Sequence, residues 1–249
     1  MRIISFLLLL LIVTSCEKKS KYPIDKRYWT PEDYHSVLLN SLYKNSDEDK
    51  TPSYADPETR MVVQKLMDHQ NYLIVLDDNE LGLKYRSEVA QKFFDEWKDL
   101  EKLYNVTDRK DQYTYEKEYL DAVDFGLGLQ IKYFKIGNDN IIKNSSNPNE
   151  QRISNILREN EQTIIDNFTY KLELINQESA FSKEGLDKLN SIYKEHFTSL
   201  HNTFPKARYS NLIDKMNLLK TKSNSEKIKS TFQELISLME KKNGVIPNS

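Results

Sequence analysis

The chain has 249 residues, of which 38% are hydrophobic and 30% are charged, and its formal net charge at pH 7 is −2. Six glycines and seven prolines accompany an aromatic content of 11%, which excludes a disordered or low-complexity chain. A single cysteine excludes a framework of disulfides. The composition therefore predicts one large domain or two small ones, held together by a hydrophobic core.

The first element is a short apolar run behind a positive charge. Arg2 precedes the run 3–13, which only Ser5 interrupts. As a helix this run would rise roughly 16 Å, whereas the hydrocarbon core of a membrane is about 30 Å thick. The segment therefore predicts a secretory signal peptide and not a membrane-spanning anchor.

The chain's one cysteine ends this run, in the segment Leu11-Ile12-Val13-Thr14-Ser15-Cys16. An aliphatic residue, two small residues and a cysteine resemble the lipobox of bacterial lipoprotein precursors, although Thr14 is a less usual choice. In that family a diacylglyceryl group is attached to the thiol, cleavage occurs just before the cysteine, and the new amino terminus is usually acylated. The resemblance covers about the first 16 residues and implies lipidation of Cys16. The alternative is an ordinary signal peptide with a chance cysteine.

This resemblance divides the chain into a signal peptide at 1–15, a lipidated cysteine with a flexible tether at 16–29, and a folded domain at 30–249. It implies a mature protein held on a bacterial membrane through lipid and facing the periplasm or the cell surface. Glu17 follows the cysteine in place of the aspartate that retains many lipoproteins in the inner membrane, which favours the outer membrane. This location, and the lack of an arginine-rich run, argue against nucleic acid as a partner.

Charge is unevenly distributed along the chain. Residues 30–124 carry 12 basic and 22 acidic side chains, whereas residues 205–249 carry 9 basic and 4 acidic ones. The favoured interpretation is that the two ends are neighbours in the fold and neutralise each other. The alternative is a basic face that binds an acidic partner.

Four segments have the pattern of a helix start. Three of them combine a capping side chain, a proline and an acid, and the fourth has capping-box spacing. They are Thr30-Pro31-Glu32-Asp33, Asp56-Pro57-Glu58, Asn147-Pro148-Asn149-Glu150 and Ser223-Asn224-Ser225-Glu226.

Apolar residues recur every three or four positions, which is typical of amphipathic helices. Short polar joints such as 221–224 favour antiparallel neighbours. The pattern predicts an all-α fold, a multi-helix antiparallel bundle of about seven helices. The stripes are Val89, Phe93, Trp97, Leu100 and Tyr104; Ile153, Leu157, Ile164, Phe168 and Ile175; Leu186, Leu189, Tyr193, Phe197, Leu200 and Phe204; Tyr209, Leu212, Ile213, Met216 and Leu219; and Ile228, Phe232, Leu235, Ile236 and Met239.

The segment 111–136 is apolar on two opposite sides if it is helical, so we predict a central helix sandwiched between neighbours. Residues 125–133 also alternate with period two, which leaves a strand as the competing interpretation. One face has Leu120, Val123, Leu127, Ile131 and Phe134, and the other has Tyr115, Phe125, Leu129, Tyr133 and Ile136.

Asp121 and Asp124 lie on the polar strip of this predicted helix, three residues apart. Such a pair can serve as acid and base or bind a cation, although a solvated strip is the favoured interpretation. His69 lies on an apolar stripe and is predicted to face the core. Asp121, Asp124 and His69 are the only metal candidates we retain, because His196 and His201 are five residues apart and cannot chelate one ion together.

The segment 77–88 partly fits a calcium loop. Asp77, Asn79, Gly82 and Glu88 occupy ligand and turn positions, but Leu81 removes a ligand. A plain turn between helices is therefore favoured.

No pattern for hydrolysis, redox chemistry or phosphoryl transfer is left, and no cofactor is implied. We expect a membrane-anchored, non-enzymatic module that binds a protein, such as a partner in envelope assembly or a toxin that it neutralises. The alternative is an envelope enzyme, or a small-ligand or cation-binding protein, that uses Asp121 and Asp124.

Overall fold

The computed structural model describes residues 22–42, 51–72, 80–104, 114–145 and 150–243. Within these ranges the chain forms helices and no strand, which confirms the predicted all-α fold. The helices bounded within these ranges are α1 (Pro31–Leu42), α2 (Arg60–Leu66), α3 (Leu83–Tyr104), α4 (Glu116–Asn144), α5 (Glu150–Lys171), α6 (Lys183–Thr203), α7 (Ser210–Lys222) and α8 (Glu226–Asn243), with a 3₁₀ helix at Leu172–Ala180.

The signal peptide and Cys16 lie outside the described residues. Among the helices of the described part, none is long and apolar enough to cross a membrane.

The first two predicted helix starts differ in outcome. Helix α1 begins at Pro31, and its cap is reciprocal: the amide of Asp33 donates to Thr30 Oγ1 at 3.3 Å, and the amide of Thr30 donates to Asp33 Oδ2 at 3.0 Å. Helix α2 begins later than predicted, at Arg60, because the Asp56 carboxylate and carbonyl first close a turn. Pro57 therefore lies within a turn and not at the first position of the helix.

Helices α5 and α8 follow the last two predicted starts, and α8 begins two residues later than predicted. Helix α5 begins at Glu150, and its predicted cap at 147–149 lies outside the described residues. Helix α8 begins after Ser225, whose Oγ accepts from the amide of Ile228 at 3.4 Å. The residue predicted as the cap, Ser223, instead ends α7. The serine nearest to the first free amides therefore makes the cap.

Residues 22–29, which we predicted to be part of a flexible tether, pack against the fold. Tyr22 and Trp29 are buried. The amide of Trp29 donates to Asn71 Oδ1 at 2.7 Å, and its indole donates to the carbonyl of Pro23 at 2.9 Å. The folded part of the chain therefore begins by Tyr22, because two large aromatic side chains in this segment gain more from burial than from exposure.

Helix α4 is the predicted central helix, and it packs against α3, α5 and α6. Both of its apolar faces are covered, which confirms the two-sided pattern and rules out the strand interpretation. From the first face Leu120, Val123, Leu127, Ile131 and Phe134 are buried, and from the second Phe125, Leu129 and Ile136. Tyr115, just before α4, and Tyr133 are partly buried against the same core.

The bundle is antiparallel between some neighbours only. Helices α3 and α4 run in opposite directions, because Phe94 stacks on Tyr133 while Trp97 contacts Ala122. Helices α4 and α6 run in the same direction, as do α1 and α3, and α6 and α8. The 3₁₀ helix joins α5 to α6, which packs along α4 and also contacts α5, since the rings of Phe168 and Phe197 lie 5.0 Å apart.

Within the described part of the chain, the acidic front and the basic tail do not neutralise each other in the way we favoured. Among the described residues, lysines of the basic tail pair with acids of the same half of the chain: Lys215 with Glu173, Lys227 with Asp187 and Lys229 with Glu226. Helices α7 and α8 pack against α5, α6 and the 3₁₀ helix, so the nearest acids are those of residues 173–226.

Helices α3 and α4 approach most closely where Trp97 lies over Gly126. A Cβ added at Gly126 would lie 1.7 Å from Trp97 Nε1, and the indole itself donates to the carbonyl of Ala122 at 3.2 Å. We expect Gly126→Ala to lower the free energy of unfolding by about 3 kcal/mol, because the buried indole must be displaced. Urea unfolding measures this loss.

Gly137→Ala is the matched control, since Gly137 lies in the same helix and a Cβ there meets nothing within 4 Å. It should raise the free energy of unfolding by roughly 0.5–1 kcal/mol through helix propensity. Equal effects of the two substitutions would show that the contact with Trp97 does not control the spacing of α3 and α4.

Candidate functional site

The predicted pair Asp121 and Asp124 forms a charged cluster with residues of α6. His196 Nε2 lies 2.5 Å from Asp124 Oδ1, and Lys188 Nζ lies 2.8 Å from Asp124 Oδ2. Lys188 also lies 3.6 Å from Asp121 Oδ1, so one ammonium group bridges both carboxylates. Because α4 and α6 run side by side in the same direction, one face of each helix supplies the whole cluster.

The loop at 51–56 completes the cluster from the other side. The hydroxyl of Tyr54 donates to Asp121 Oδ2 at 2.8 Å. One turn earlier on α4, Glu118 is only 3% exposed and accepts from the hydroxyl of Ser53 at 2.8 Å and from the amide of Tyr54 at 2.6 Å. Helix α4 thus has an acidic edge that consists of Glu118, Asp121 and Asp124. Each of these carboxylates is contacted by side chains or amides of neighbouring segments.

The electrostatics follow from these contacts. Burial alone would raise the pKa of Asp124, but hydrogen bonds from His196 and Lys188 outweigh it and lower that pKa to about 2. Burial likewise opposes the charge of Lys188, and the two aspartates outweigh it and raise the Lys188 pKa. Burial and the charge of Asp121 raise the pKa of Tyr54. At neutral pH the cluster therefore holds the ionised carboxylate of Asp124 beside the charged ammonium group of Lys188.

His69 faces the core, as predicted. Its Nδ1 lies 2.7 Å from the hydroxyl of Tyr72, and its ring lies 5.4 Å from that of Phe125. Burial lowers the pKa of His69. A Cβ added at Gly128 would lie 3.3 Å from Cε1 of His196 and 3.7 Å from Cε1 of His69, so this glycine lets both imidazoles approach α4.

The metal hypothesis gains no geometric support. Among the described residues, no three histidine, cysteine, aspartate or glutamate side chains converge as a metal site. Asp121 and Asp124 are held by cations and a hydroxyl, whereas His69 contacts Tyr72 and Phe125. In the segment 77–88, where a turn was favoured over a calcium loop, residues 77–79 lie outside the described ranges, and Leu83 already begins α3, five residues before Glu88.

Three clefts described in the fold lie away from this cluster. Asp121 and Asp124 line none of them. The first, about 280 Å³, is lined by Lys98, Tyr119, Tyr170 and Lys171; the second, about 190 Å³, by Tyr28, Trp29, Tyr85 and Lys92; the third, about 750 Å³, by Leu157, Arg158, Glu161, Lys206 and Arg208.

Sequence reasoning found the two aspartates but missed their partners. Lys188, Ile192 and His196 recur every four residues and so share one face of α6, which is the signal that was present. Nothing in the sequence indicated that this face meets the acidic edge of α4. The contribution of Tyr54 depends on a loop, whose position periodicity does not predict.

We expect Asp124→Asn to lower the free energy of unfolding by about 1–3 kcal/mol at pH 7, because the buried His196 and the partly exposed Lys188 lose their charged partner. The folded pKa of Asp124, about 2, lies below its ordinary 3.8. Its ionised form therefore stabilises the fold above pH 4, and this stabilisation is lost as the pH falls through about 2. Denaturant titrations from pH 7 to pH 2 should show that the free energy of unfolding falls less with acid in the variant than in the wild type.

Asp139→Asn is the control, since Asp139 forms only an exposed pair with Lys135 on the same helix. It should change the free energy of unfolding by less than about 0.5 kcal/mol. A loss at Asp139 as large as that at Asp124 would mean that the cluster adds no specific stability.

No protein-family model matches the chain, and no curated protein or solved structure matches it. The residues and their geometry therefore carry the functional argument alone.

Proposed function

We propose that the protein is a lipid-anchored module outside the cytoplasm that binds another protein and does not catalyse a reaction. The lipobox segment that ends at Cys16 supports the anchor. The observation that carries the binding function is that Asp121 and Asp124 already have partners inside the fold, namely Lys188, His196 and Tyr54. A partner in envelope assembly or an incoming toxin fits this location.

The anchor would hold the folded domain close to the membrane. Tyr22, which is buried in the fold, lies six residues after Cys16 in the chain. Six residues span at most about 20 Å when fully extended. A bound protein would therefore lie near the bilayer, as suits a partner that is itself in the envelope or must cross it.

We expect Cys16→Ala to abolish labelling of the protein by a fatty-acid analogue and to release it from the membrane fraction, because the thiol is the proposed attachment atom. Glu17→Ala is the control, since it changes the adjacent residue and keeps the thiol. Labelling that survives Cys16→Ala would refute the anchor.

One observation favours a second candidate, an enzyme that uses His196 as a base. A carboxylate 2.5 Å from an imidazole nitrogen is an arrangement that orients histidines for proton transfer. Against it, the His196 side chain is only 7% exposed, which limits access by a substrate.

Asp121→Asn combined with Asp124→Asn separates the two candidates. The variant should capture the same proteins as the wild type after cross-linking in intact cells, provided that its circular dichroism shows a folded chain at the growth temperature. An enzyme that depends on these carboxylates would instead lose its rate by orders of magnitude. A changed set of captured proteins from a folded variant would contradict the scaffold role of this pair.

A further inference from the structure

Three cations converge on the widest of the clefts, which has a volume of about 750 Å³. Arg158 lies on α5, and Lys206 and Arg208 lie on the turn that joins α6 to α7. Leu157 supplies apolar surface to the lining, whereas Ala207 is only 3% exposed. The cleft thus has cations on both of its walls.

The turn that carries two of these cations is held in one conformation by its buried residues. Phe204, Ala207 and Tyr209 are buried, whereas Lys206 and Arg208 between them are exposed. The hydroxyl of Tyr209 donates to the carbonyl of Phe204 at 2.9 Å, and the amide of Ala207 donates to the same carbonyl at 3.1 Å. A ligand would therefore meet a turn whose backbone is already ordered, which reduces the entropy lost on binding.

The opposite wall is one face of α5. Ser154, Leu157, Arg158 and Glu161 recur at spacings of one helical turn and line the cleft together. Arg158 is exposed and lies across from the turn that carries the other two cations.

These cations differ from the paired lysines nearby. Lys171, Lys188 and Lys215 each form an ion pair with an acid. Within the described part of the chain, Arg158, Lys206 and Arg208 form neither an ion pair within 4 Å nor a hydrogen bond. Their donors remain available to a ligand.

Two acids also line the cleft, Glu159 and Glu161. Burial raises the pKa of Glu161, although Lys206 and Arg158 oppose this shift. An anion bound beside Glu161 would repel its ionised form and favour its protonation. Binding of an anion should therefore take up protons and become tighter as the pH falls.

We propose that this cleft binds an acidic segment of the protein partner, with Arg158, Lys206 and Arg208 donating to its carboxylates. This inference rests on the proposed function as a protein-binding module. Guanidinium groups hold carboxylates through paired hydrogen bonds. The cations are spread over two walls, which suits an extended chain with several carboxylates better than a single small anion. The excess of basic residues in 205–249 agrees with this charge complementarity.

The test uses the purified full mature chain with Cys16→Ala, so that no lipid is needed. The probe is a fluorescein-labelled hexaglutamate peptide, and its anisotropy measures the dissociation constant at low salt. Arg158→Gln combined with Arg208→Gln should weaken binding at least tenfold. Lys143→Gln combined with Lys222→Gln removes the same charge from exposed positions outside the cleft and should weaken binding less than twofold.

Glu161→Gln gives the sharper result. It should strengthen binding of the peptide several-fold at pH 7. It should also reduce the increase in affinity that the unsubstituted site shows between pH 7 and pH 5. The substituted side chains other than Glu161 are exposed, and the melting temperature checks that each variant is folded.

Three outcomes would overturn the proposal: equal weakening by the two double variants, no gain from Glu161→Gln, or tighter binding of inorganic phosphate or of phosphatidylglycerol vesicles than of hexaglutamate. Absence of lipid on Cys16 in cells would refute the anchor and leave these measurements standing. The two failures are therefore distinguishable.

Discussion

The fold depends on covering a helix that has apolar residues on two opposite faces. An amphipathic helix needs one neighbour, but α4 must have neighbours on both sides or leave aromatic and aliphatic side chains in water. Helix α3 covers one side, with Trp97 seated over Gly126, and α5 and α6 cover the rest. The remaining helices then pack on this sandwich: α1 on α3, and α7 and α8 on α5 and α6.

The narrow polar edge of α4 is determined by the same constraint. With both apolar faces covered, the acids of this edge lie against neighbouring segments, where an isolated carboxylate would be costly. The Glu118 carboxylate accepts hydrogen bonds from the loop at 51–56. The Asp124 carboxylate contacts His196 and Lys188. The cluster joins three segments that are distant in sequence.

Two features of the chain bear on the proposed function, namely the short segment between Cys16 and the fold and the basic cleft. Tyr22 begins the folded part six residues after Cys16, so a lipid at that cysteine would keep the bundle beside the bilayer. The basic cleft between α5 and the turn at 204–209 lies away from the charged edge of α4 and keeps its cations free of ion pairs among the described residues. Anchoring and recognition would thus use separate parts of the chain, and the paired acids of α4 would support the scaffold.

The sequence by itself determined the all-α fold, the central position of α4 and the start of α1, because apolar periodicity and capping residues act within a few turns of one helix. It also located Asp121 and Asp124. Only the tertiary structure decided that Lys188, His196 and Tyr54 meet these aspartates, that residues 22–29 pack on the core, and that Arg158 faces Lys206 and Arg208. Those contacts join residues far apart in the chain. They depend on which helix faces which, and that choice follows from the packing of the whole core and not from any local pattern.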